Sequence, residues 1–131
     1  MPDDETVTVL MAEDAIVLRE PVAEYLRSIG YTVIETGDGT EALEVLNSRP
    51  GIDILFTDVQ MPGINGDVLA NRLAVNQPKV PVILTSGNVT LDLITAGVAP
   101  RRFVRKPYEL DVIDFNIRDL TGKAPRGAET V

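Results

Sequence analysis

Residues 52–58 read Ile-Asp-Ile-Leu-Phe-Thr-Asp, and residues 80–86 read Val-Pro-Val-Ile-Leu-Thr-Ser. Both stretches are nearly continuous runs of apolar, β-branched-rich sequence that end in a polar side chain. Runs of this kind are typical of strands that are covered on both faces within a parallel sheet. The two stretches therefore predict two buried strands of an α/β protein.

The sequence on either side repeats this pattern. Apolar runs predict five strands, namely Val7–Ala12, Thr32–Thr36, Ile52–Thr57, Val80–Thr85 and Arg102–Arg105. Helical patterns separate them: the stripe Leu18, Val22, Leu26 and Ile29 that ends at Gly30, then Thr40–Ser48, Gly66–Asn76, the weakly periodic Thr90–Gly97, and Glu109–Leu120. Strand and helix alternate five times, which predicts a (βα)5 doubly wound sheet of five parallel strands with right-handed crossovers.

Pro21 falls inside the first predicted helix. Proline removes one backbone hydrogen bond and its ring clashes with the preceding turn of a helix. We therefore expect either a kink near Arg19 or a helix that restarts at Pro21.

The length of 131 residues fits one domain. We expect that domain to span residues 7–120, with a flexible N-terminus at 1–6 and a disordered tail at 121–131. The tail is too short to fold into an output module, so we expect a stand-alone domain.

No window approaches the roughly 20 apolar residues that span a bilayer, and residues 1–5 are acidic where a signal peptide is basic. We expect a cytoplasmic protein with no membrane partner.

Composition excludes several classes of function. The chain has no cysteine and no histidine, which removes disulfides, thiolate chemistry, histidine-ligated metals, Ser-His-Asp triads and phosphohistidine on this chain. Twelve basic residues stand against 20 acidic ones, and the net charge of −8 would repel a phosphate backbone. We expect no nucleic-acid partner.

Polar residues follow several of the predicted strands. Glu13 and Asp14 follow the first strand, Asp58 the third, Ser86 the fourth and Lys106 the fifth. In parallel sheets these ends meet at one rim, where sites are found. Carboxylates held together raise one another's pKa unless a cation lies among them, and Mg²⁺ prefers such oxygen ligands.

The pattern at this rim suggests a division of roles. A carboxylate can accept a phosphoryl group when a metal and donors neutralise the transferring group. Asp58 would be both metal ligand and nucleophile, and the backbone carbonyl of Gln60 could complete the protein ligands. Lys106 and the Ser86 hydroxyl are the available donors.

Four motifs carry these residues, and together they resemble the receiver domain of two-component response regulators. The motifs are Leu10-Met11-Ala12-Glu13-Asp14, Phe56-Thr57-Asp58-Val59-Gln60-Met61-Pro62-Gly63, Leu84-Thr85-Ser86-Gly87 and Phe103-Val104-Arg105-Lys106-Pro107. The resemblance covers roughly residues 7–120. It implies a flavodoxin-like fold and a phosphoacceptor signalling domain, which is not an enzyme acting on other substrates.

The resemblance also implies roles for individual residues. Glu13 and Asp14 would hold Mg²⁺, with Asp58 as phosphoacceptor and the Gln60 carbonyl as a further ligand. Ser86 and Lys106 would contact phosphoryl oxygens. Phe103 would occupy the aromatic switch position that moves together with Ser86 after phosphorylation. Family members often have tyrosine there, so a switch that needs a hydroxyl is in doubt.

The chain departs from the common pattern around Thr90–Gly97, which is short and is followed by Val98-Ala99-Pro100. It looks like the small receivers found beside HWE-type histidine kinases in alphaproteobacteria. This implies a sensor histidine kinase as phosphodonor, and the face between Thr90–Gly97 and the fifth strand as the surface that changes. The downstream protein partner is not legible from the sequence.

Other interpretations stay open. Asp58 could cap a turn, Glu13 and Asp14 could cap the first helix, and Phe103 could be an ordinary core aromatic. One alternative function is a pseudo-receiver that binds proteins without phosphorylation. Another is a Mg²⁺-dependent phosphatase of the haloacid-dehalogenase type, although Gln60 stands where that class has a second aspartate. A flavodoxin-like FMN carrier is a further alternative, weakened because this chain has no tryptophan and no Ser/Thr/Gly phosphate loop after the first strand.

Overall fold

A computed structural model of the chain describes residues 6–87 and 101–125. The strands are β1 (Thr8–Ala12), β2 (Thr32–Thr36), β3 (Ile54–Asp58), β4 (Val82–Ser86) and β5 (Arg101–Arg105). The helices in the described residues are α1 (Ile16–Ser28), α2 (Gly39–Ser48), α3 (Gly66–Asn76) and α4 (Leu110–Thr121). The predicted helix over Thr90–Gly97 and the segment Val98–Pro100 lie outside the described residues.

The five strands form one parallel sheet in the order β2-β1-β3-β4-β5. The order reverses direction at β1, which lies between β2 and β3, and this is the switch point at which doubly wound folds place their sites. The predicted fold class is confirmed. The predicted strands were displaced from the observed ones by at most two residues at either end.

Each face of the sheet has its own core, because successive side chains of a strand point to opposite faces. Met11, Ile54 and Phe56 lie on the face covered by α1 and α4. Leu10 and Leu55 lie on the face covered by α2 and α3. The continuous apolar runs of β1, β3 and β4 thus supply both cores, and these three strands lie between the two helix layers.

The first helix differs from the expectation in two respects. It runs without interruption from Ile16 to Ser28 with Pro21 inside it, so the prediction of a restart at Pro21 is wrong. Val22 and Leu26 are buried as predicted, but Leu18 is 47% exposed. Leu18 instead lines a surface groove with Pro21 and Tyr108, because no described element covers the first turn of α1.

The last helix ends one residue later than predicted, at Thr121, and is followed by Gly122 in the left-handed conformation with φ of 69°. The next residues remain in contact with the domain: Lys123 Nζ lies 2.9 Å from Asp53 Oδ1, just before β3, and Pro125 is buried. Residues 126–131, the rest of the expected tail, lie outside the described residues, as do residues 1–5. In the described part of the chain no helix combines the length and hydropathy needed to cross a bilayer.

Candidate functional site

Three carboxylates meet at the carboxyl ends of β1 and β3. Glu13 and Asp14 directly follow β1, and Asp58 is the last residue of β3. Ala12 is in register with Thr57, so the next residues of the two strands, Glu13 and Asp58, emerge side by side. One carboxylate oxygen from each of the three acidic residues lies within 4.8 Å of the other two. The structure therefore brings together the three acidic residues that the sequence predicted.

Glu13 is buried, and its position is fixed on several sides. Its backbone N–H donates to the Thr36 carbonyl at 3.1 Å, which continues the β1–β2 ladder. Its Oε2 accepts from the Ala15 N–H at 3.1 Å, and its Oε1 accepts from Lys106 Nζ at 2.7 Å. Buried carboxylates require such partners, so Glu13 has a defined orientation within the cluster.

Lys106 supplies the positive charge of the site. Its Nζ donates to Asp58 Oδ2 at 3.1 Å as well as to Glu13. Its backbone N–H donates to the Ser86 carbonyl at 3.1 Å, which anchors it to the end of β4. Burial alone lowers the pKa of the ammonium, but the hydrogen bonds and charges of Glu13 and Asp58 outweigh it, and the pKa of Lys106 is raised. Lys106 stays protonated between the two carboxylates.

The loop after Asp58 is fixed by its backbone. Val59 N–H donates to the Thr85 carbonyl at 2.9 Å, and Gly66 N–H donates to the Val59 carbonyl at 2.7 Å. A Cβ on Gly66 would lie 2.1 Å from the Asp58 carbonyl oxygen, so only glycine allows α3 to begin this close to the phosphoacceptor candidate. The Asp58 carboxylate itself remains partly exposed at the rim.

Ser86 and Phe103 lie on the same face of the sheet. Leu84 is in register with Phe103, and Ser86 lies two residues further along β4, so the two positions are diagonal neighbours on adjacent strands. Ser86 is buried, and Phe103 is partly buried against the α2–α3 core. Gln60 is exposed two residues after Asp58. Its role as a carbonyl ligand stays a prediction, as does the switch role of Phe103.

The donor set fits a hard divalent cation. Three carboxylates face one ammonium, two of the three are partly or fully exposed, and carboxylate oxygens are the ligands that Mg²⁺ prefers. Glu13, Asp14 and Asp58 are the side chains that would hold the ion. When bound, such an ion neutralises charge on phosphoryl oxygens.

Two residues near the cluster were not singled out from the sequence. Arg19 Nη1 donates to the backbone carbonyl of Glu13 at 2.7 Å. The ring of Tyr108 packs edge-on against Phe56, with 5.9 Å between centroids. Burial, and then the charges of the acidic cluster, raise the pKa of Tyr108 to about 12 despite the nearby ammonium. For Arg19, the sequence offered one signal, its position in the first predicted helix five residues after Asp14.

Comparison with known proteins identifies the family. The model of the response regulator receiver domain matches residues 9–118. The chain belongs to the response regulator receiver domain family. The predicted recognition of a receiver domain is therefore confirmed.

Relatives of this receiver are parts of larger proteins. The chain is 32% identical over 122 residues to the sensor kinase CckA of Brucella abortus. The matched region covers 90% of this chain and 13% of the relative. It is 27% identical over 113 residues to a cyclic di-GMP phosphodiesterase of Thermotoga maritima. Here the matched region covers 85% of this chain and 30% of the relative. The chain thus spans less than a third of each of these two curated relatives.

Solved structures agree with the receiver fold. A response regulator receiver protein from Sinorhizobium medicae superposes with a TM-score of 0.83 at 26% identity, covering 90% of this chain and 96% of that one. The receiver domain of the hybrid histidine kinase CckA gives a TM-score of 0.73 at 30% identity, covering 87% and 98%. Nearly the whole of each solved domain therefore corresponds to this chain.

Proposed function

We propose that this receiver accepts a phosphoryl group from the phosphohistidine of a sensor histidine kinase onto Asp58, in a Mg²⁺-dependent reaction in the cytoplasm, and thereby switches a protein-binding surface. One observation carries the proposal. The Asp58 carboxylate lies at a partly exposed rim, grouped with Glu13 and Asp14 and in contact with the Lys106 ammonium. This is the arrangement that an aspartate needs to act as a nucleophile toward phosphorus.

The transfer has a simple balance. An Asp58 carboxylate oxygen attacks phosphorus, a P–O bond forms, and the P–N bond of the donor phosphohistidine breaks. The electron pair stays on the imidazole nitrogen, and the ring takes up one proton from solvent to leave as neutral histidine. Lys106, already protonated, moves from bridging two carboxylates to contacting a phosphoryl oxygen. The Ser86 hydroxyl lies at the end of the neighbouring strand and would donate to a second oxygen. Charge neutralisation and positioning are the main contributions to such transfers.

A groove beside the site supports a protein phosphodonor. Val17, Leu18 and Pro21 of α1 face Tyr108 and Leu110 across an open cleft of about 470 Å³ that includes Lys106 in its lining. Val17 is 78% exposed. Exposed apolar residues that adjoin a polar site are typical of protein–protein contact surfaces. A kinase helix docked there would present its phosphohistidine next to Asp58.

The proposed output depends on the face of the sheet that α2 and α3 cover. Ser86 and Phe103 are diagonal neighbours on β4 and β5, so a shift of the Ser86 hydroxyl toward a phosphoryl group would free space beside the Phe103 ring. Packed cores respond to such changes by moving between discrete arrangements. The surface of β5 is then the one that changes for a downstream partner.

Intact mass spectrometry after treatment with acetyl phosphate tests the proposal. We expect the wild type to gain the mass of one phosphoryl group only when Mg²⁺ is present. Asp58→Asn removes the nucleophile while keeping the shape of the side chain, so it should gain nothing. Asp111→Asn, a matched change at an exposed position of α4, should be phosphorylated like the wild type. Labelling of Asp58→Asn at the wild-type level would contradict the proposal.

A second measurement separates a receiver from a pseudo-receiver. We expect beryllofluoride with Mg²⁺ to shift the amide NMR signals of Asp58, Ser86 and Phe103 together. If Mg²⁺ binds but neither acetyl phosphate nor beryllofluoride has an effect, the proposal is contradicted, and a pseudo-receiver that binds partners in its unmodified form is favoured. Transfer from a purified sensor kinase, followed by loss of label from the kinase, then tests the phosphodonor itself.

A further inference from the structure

Arg19 joins the acidic cluster to the neighbouring strand β2. Its Nη1 donates to the Glu13 carbonyl at 2.7 Å, and its Nε donates to Glu35 Oε1 at 3.2 Å. The side chain is only 16% exposed, although it comes from the first half of a surface helix. The planar guanidinium thus bridges the loop that carries two acidic residues and a strand that carries none of the site.

A second arginine of α1 provides a natural comparison. Arg27 Nη1 pairs with Glu35 Oε2 at 2.8 Å, and its Nη2 donates to the Val33 carbonyl at 2.8 Å. Both arginines therefore share one carboxylate and lie on the same helix. Of these two arginines, Arg19 alone contacts the loop after β1, through the Glu13 carbonyl.

The contact of Arg19 acts on a peptide plane. The Glu13 carbonyl belongs to the planar peptide that links Glu13 to Asp14, so holding this oxygen fixes the direction in which the chain continues. That direction sets where the Asp14 side chain begins, and it also keeps the Ala15 N–H within reach of Glu13 Oε2. Without the contact, rotation of this peptide would separate the three carboxylates.

We infer that Arg19 is a positioning residue that fixes the Glu13–Asp14 peptide in the geometry required for cation binding by the acidic cluster. The inference rests on the proposed function in so far as the cation is Mg²⁺. Arg19 touches neither the ion nor the phosphoryl group in this account. It acts through Glu13 and Asp14, as residues that orient metal ligands do.

Electrostatics alone predicts the opposite effect. Arg19 carries a positive charge close to the cluster, and a positive charge repels a cation. Replacing Arg19 by methionine would therefore tighten Mg²⁺ binding if charge were the only factor, whereas loss of positioning would weaken it. The sign of the change distinguishes the two causes.

The test is a Mg²⁺ titration followed by amide NMR on wild type, Arg19→Met, Arg27→Met and Arg19→Lys. We expect Arg19→Met to weaken Mg²⁺ binding about tenfold, at the lower end of the range for residues that orient metal ligands. Arg27→Met removes the same charge from the same helix and should bind like the wild type. Arg19→Lys keeps the charge but cannot serve both acceptors, so it should lie between. Unchanged or tighter binding by Arg19→Met, or equal weakening by Arg27→Met, would overturn the inference.

Hydrogen exchange of the Ala15 amide provides a readout that needs no metal. We expect faster exchange in Arg19→Met and wild-type exchange in Arg27→Met, because only the first variant releases the Glu13–Asp14 peptide, whose direction keeps the Ala15 N–H within reach of Glu13 Oε2. Wild-type protection of Ala15 in Arg19→Met would refute the positioning role. If the wild type itself binds no Mg²⁺, the proposed function fails, and the Ala15 amide still decides the role of Arg19.

Discussion

The ammonium of Lys106 lies 2.7 Å from Glu13 Oε1 and 3.1 Å from Asp58 Oδ2, so the cation is nearer to the metal-ligand candidate than to the phosphoacceptor candidate. The side chain of Glu13 is 4% exposed, and that of Asp58 is 12% exposed. Lys106 therefore neutralises the more deeply buried of the two carboxylates. The same side chain that would serve phosphoryl transfer also stabilises the resting fold.

Lys106→Met should lower the free energy of unfolding at neutral pH. The substitution keeps most of the side-chain length but leaves the buried Glu13 carboxylate without its cation, which costs about 1–3 kcal/mol for an unsatisfied buried group. Urea denaturation measures the difference. Glu13→Gln/Lys106→Met should recover part of the loss, and a double variant that is no more stable than Lys106→Met would contradict this account.

The stabilising effect of Lys106 should vanish at high pH. Burial lowers the folded-state pKa of Lys106, but the hydrogen bonds that the ammonium donates to Glu13 and Asp58, with their charges, outweigh it and raise the pKa above its ordinary value of 10.5. A raised pKa stabilises the fold fully below the unfolded-state value, and this contribution is lost as pH rises through the folded-state value. The difference in unfolding free energy between wild type and Lys106→Met should therefore be constant from neutral pH to pH 10.5 and should shrink above it. A difference in unfolding free energy that grew with pH would contradict a raised pKa of Lys106 in the folded state.

Gly66→Ala should destabilise the fold and displace Asp58. The added methyl would lie 2.1 Å from the Asp58 carbonyl oxygen, a backbone atom that moves only with β3. Overpacking of this kind costs about 1–3 kcal/mol. Thermal unfolding measures the loss, and phosphorylation by acetyl phosphate should slow as well. Gly87→Ala is the control, because no described atom lies within 4 Å of its added Cβ.

The sequence predicted the sheet and the acidic cluster because both depend on local patterns and topology rules. The continuous apolar run before Asp58 identifies a buried strand, and parallel strands bring Glu13 and Asp58 to the same rim. The helix at Gly66–Asn76 was predicted at its observed bounds. In each case the information lies in residue type and spacing.

The sequence did not predict contacts that depend on side-chain reach. The Glu13 carbonyl is a backbone atom, so no residue type marks it as the partner of Arg19. Leu18 continues a helical stripe, yet the end of the stripe extends past the core into a groove. The ion pair of Lys123 and Asp53 joins residues 70 positions apart. Only the assembled fold brings such pairs together.

Tyr31→Phe should weaken the packing of α4 on the start of β2. The Tyr31 hydroxyl is buried and donates to Asp114 Oδ1 at 2.5 Å, and Arg118 Nε donates to the same oxygen at 3.0 Å. A hydrogen bond to a charged group contributes roughly 1.5–3 kcal/mol. Urea denaturation should report a loss of about that size at neutral pH. Tyr25→Phe should have little effect, since the Tyr25 hydroxyl bonds to no described residue.

The alkaline behaviour of Tyr31→Phe gives a second check. Burial, followed by the hydrogen bond to Asp114, raises the pKa of Tyr31 above its ordinary value of 10.0. The neutral phenol therefore stabilises the fold below pH 10.0, and this contribution is lost above it because the unfolded chain ionises first. The gap in stability between wild type and Tyr31→Phe should narrow above that pH. A gap that stayed constant up to the alkaline unfolding of the wild type would contradict the argument.

Thr85→Val should stabilise the fold. Thr85 is in register with Asp58 and is 2% exposed, and its hydroxyl has no hydrogen-bond partner within the described part of the chain. Valine has nearly the same shape without the hydroxyl, so the substitution removes an unsatisfied buried group and should raise the free energy of unfolding by about 1 kcal/mol.

Thr36→Val is the matched control, because Thr36 is equally buried but its hydroxyl donates to the Met11 carbonyl at 2.8 Å. That variant should lose about 1 kcal/mol, since it leaves a buried carbonyl with one partner fewer. Opposite shifts of the urea midpoints of the two variants, relative to the wild type, would establish that hydrogen bonding decides the outcome and that the exchange of hydroxyl for methyl itself does not. A loss of stability in both variants would mean that the Thr85 hydroxyl also has a hydrogen-bond partner in solution, next to the phosphoacceptor candidate Asp58.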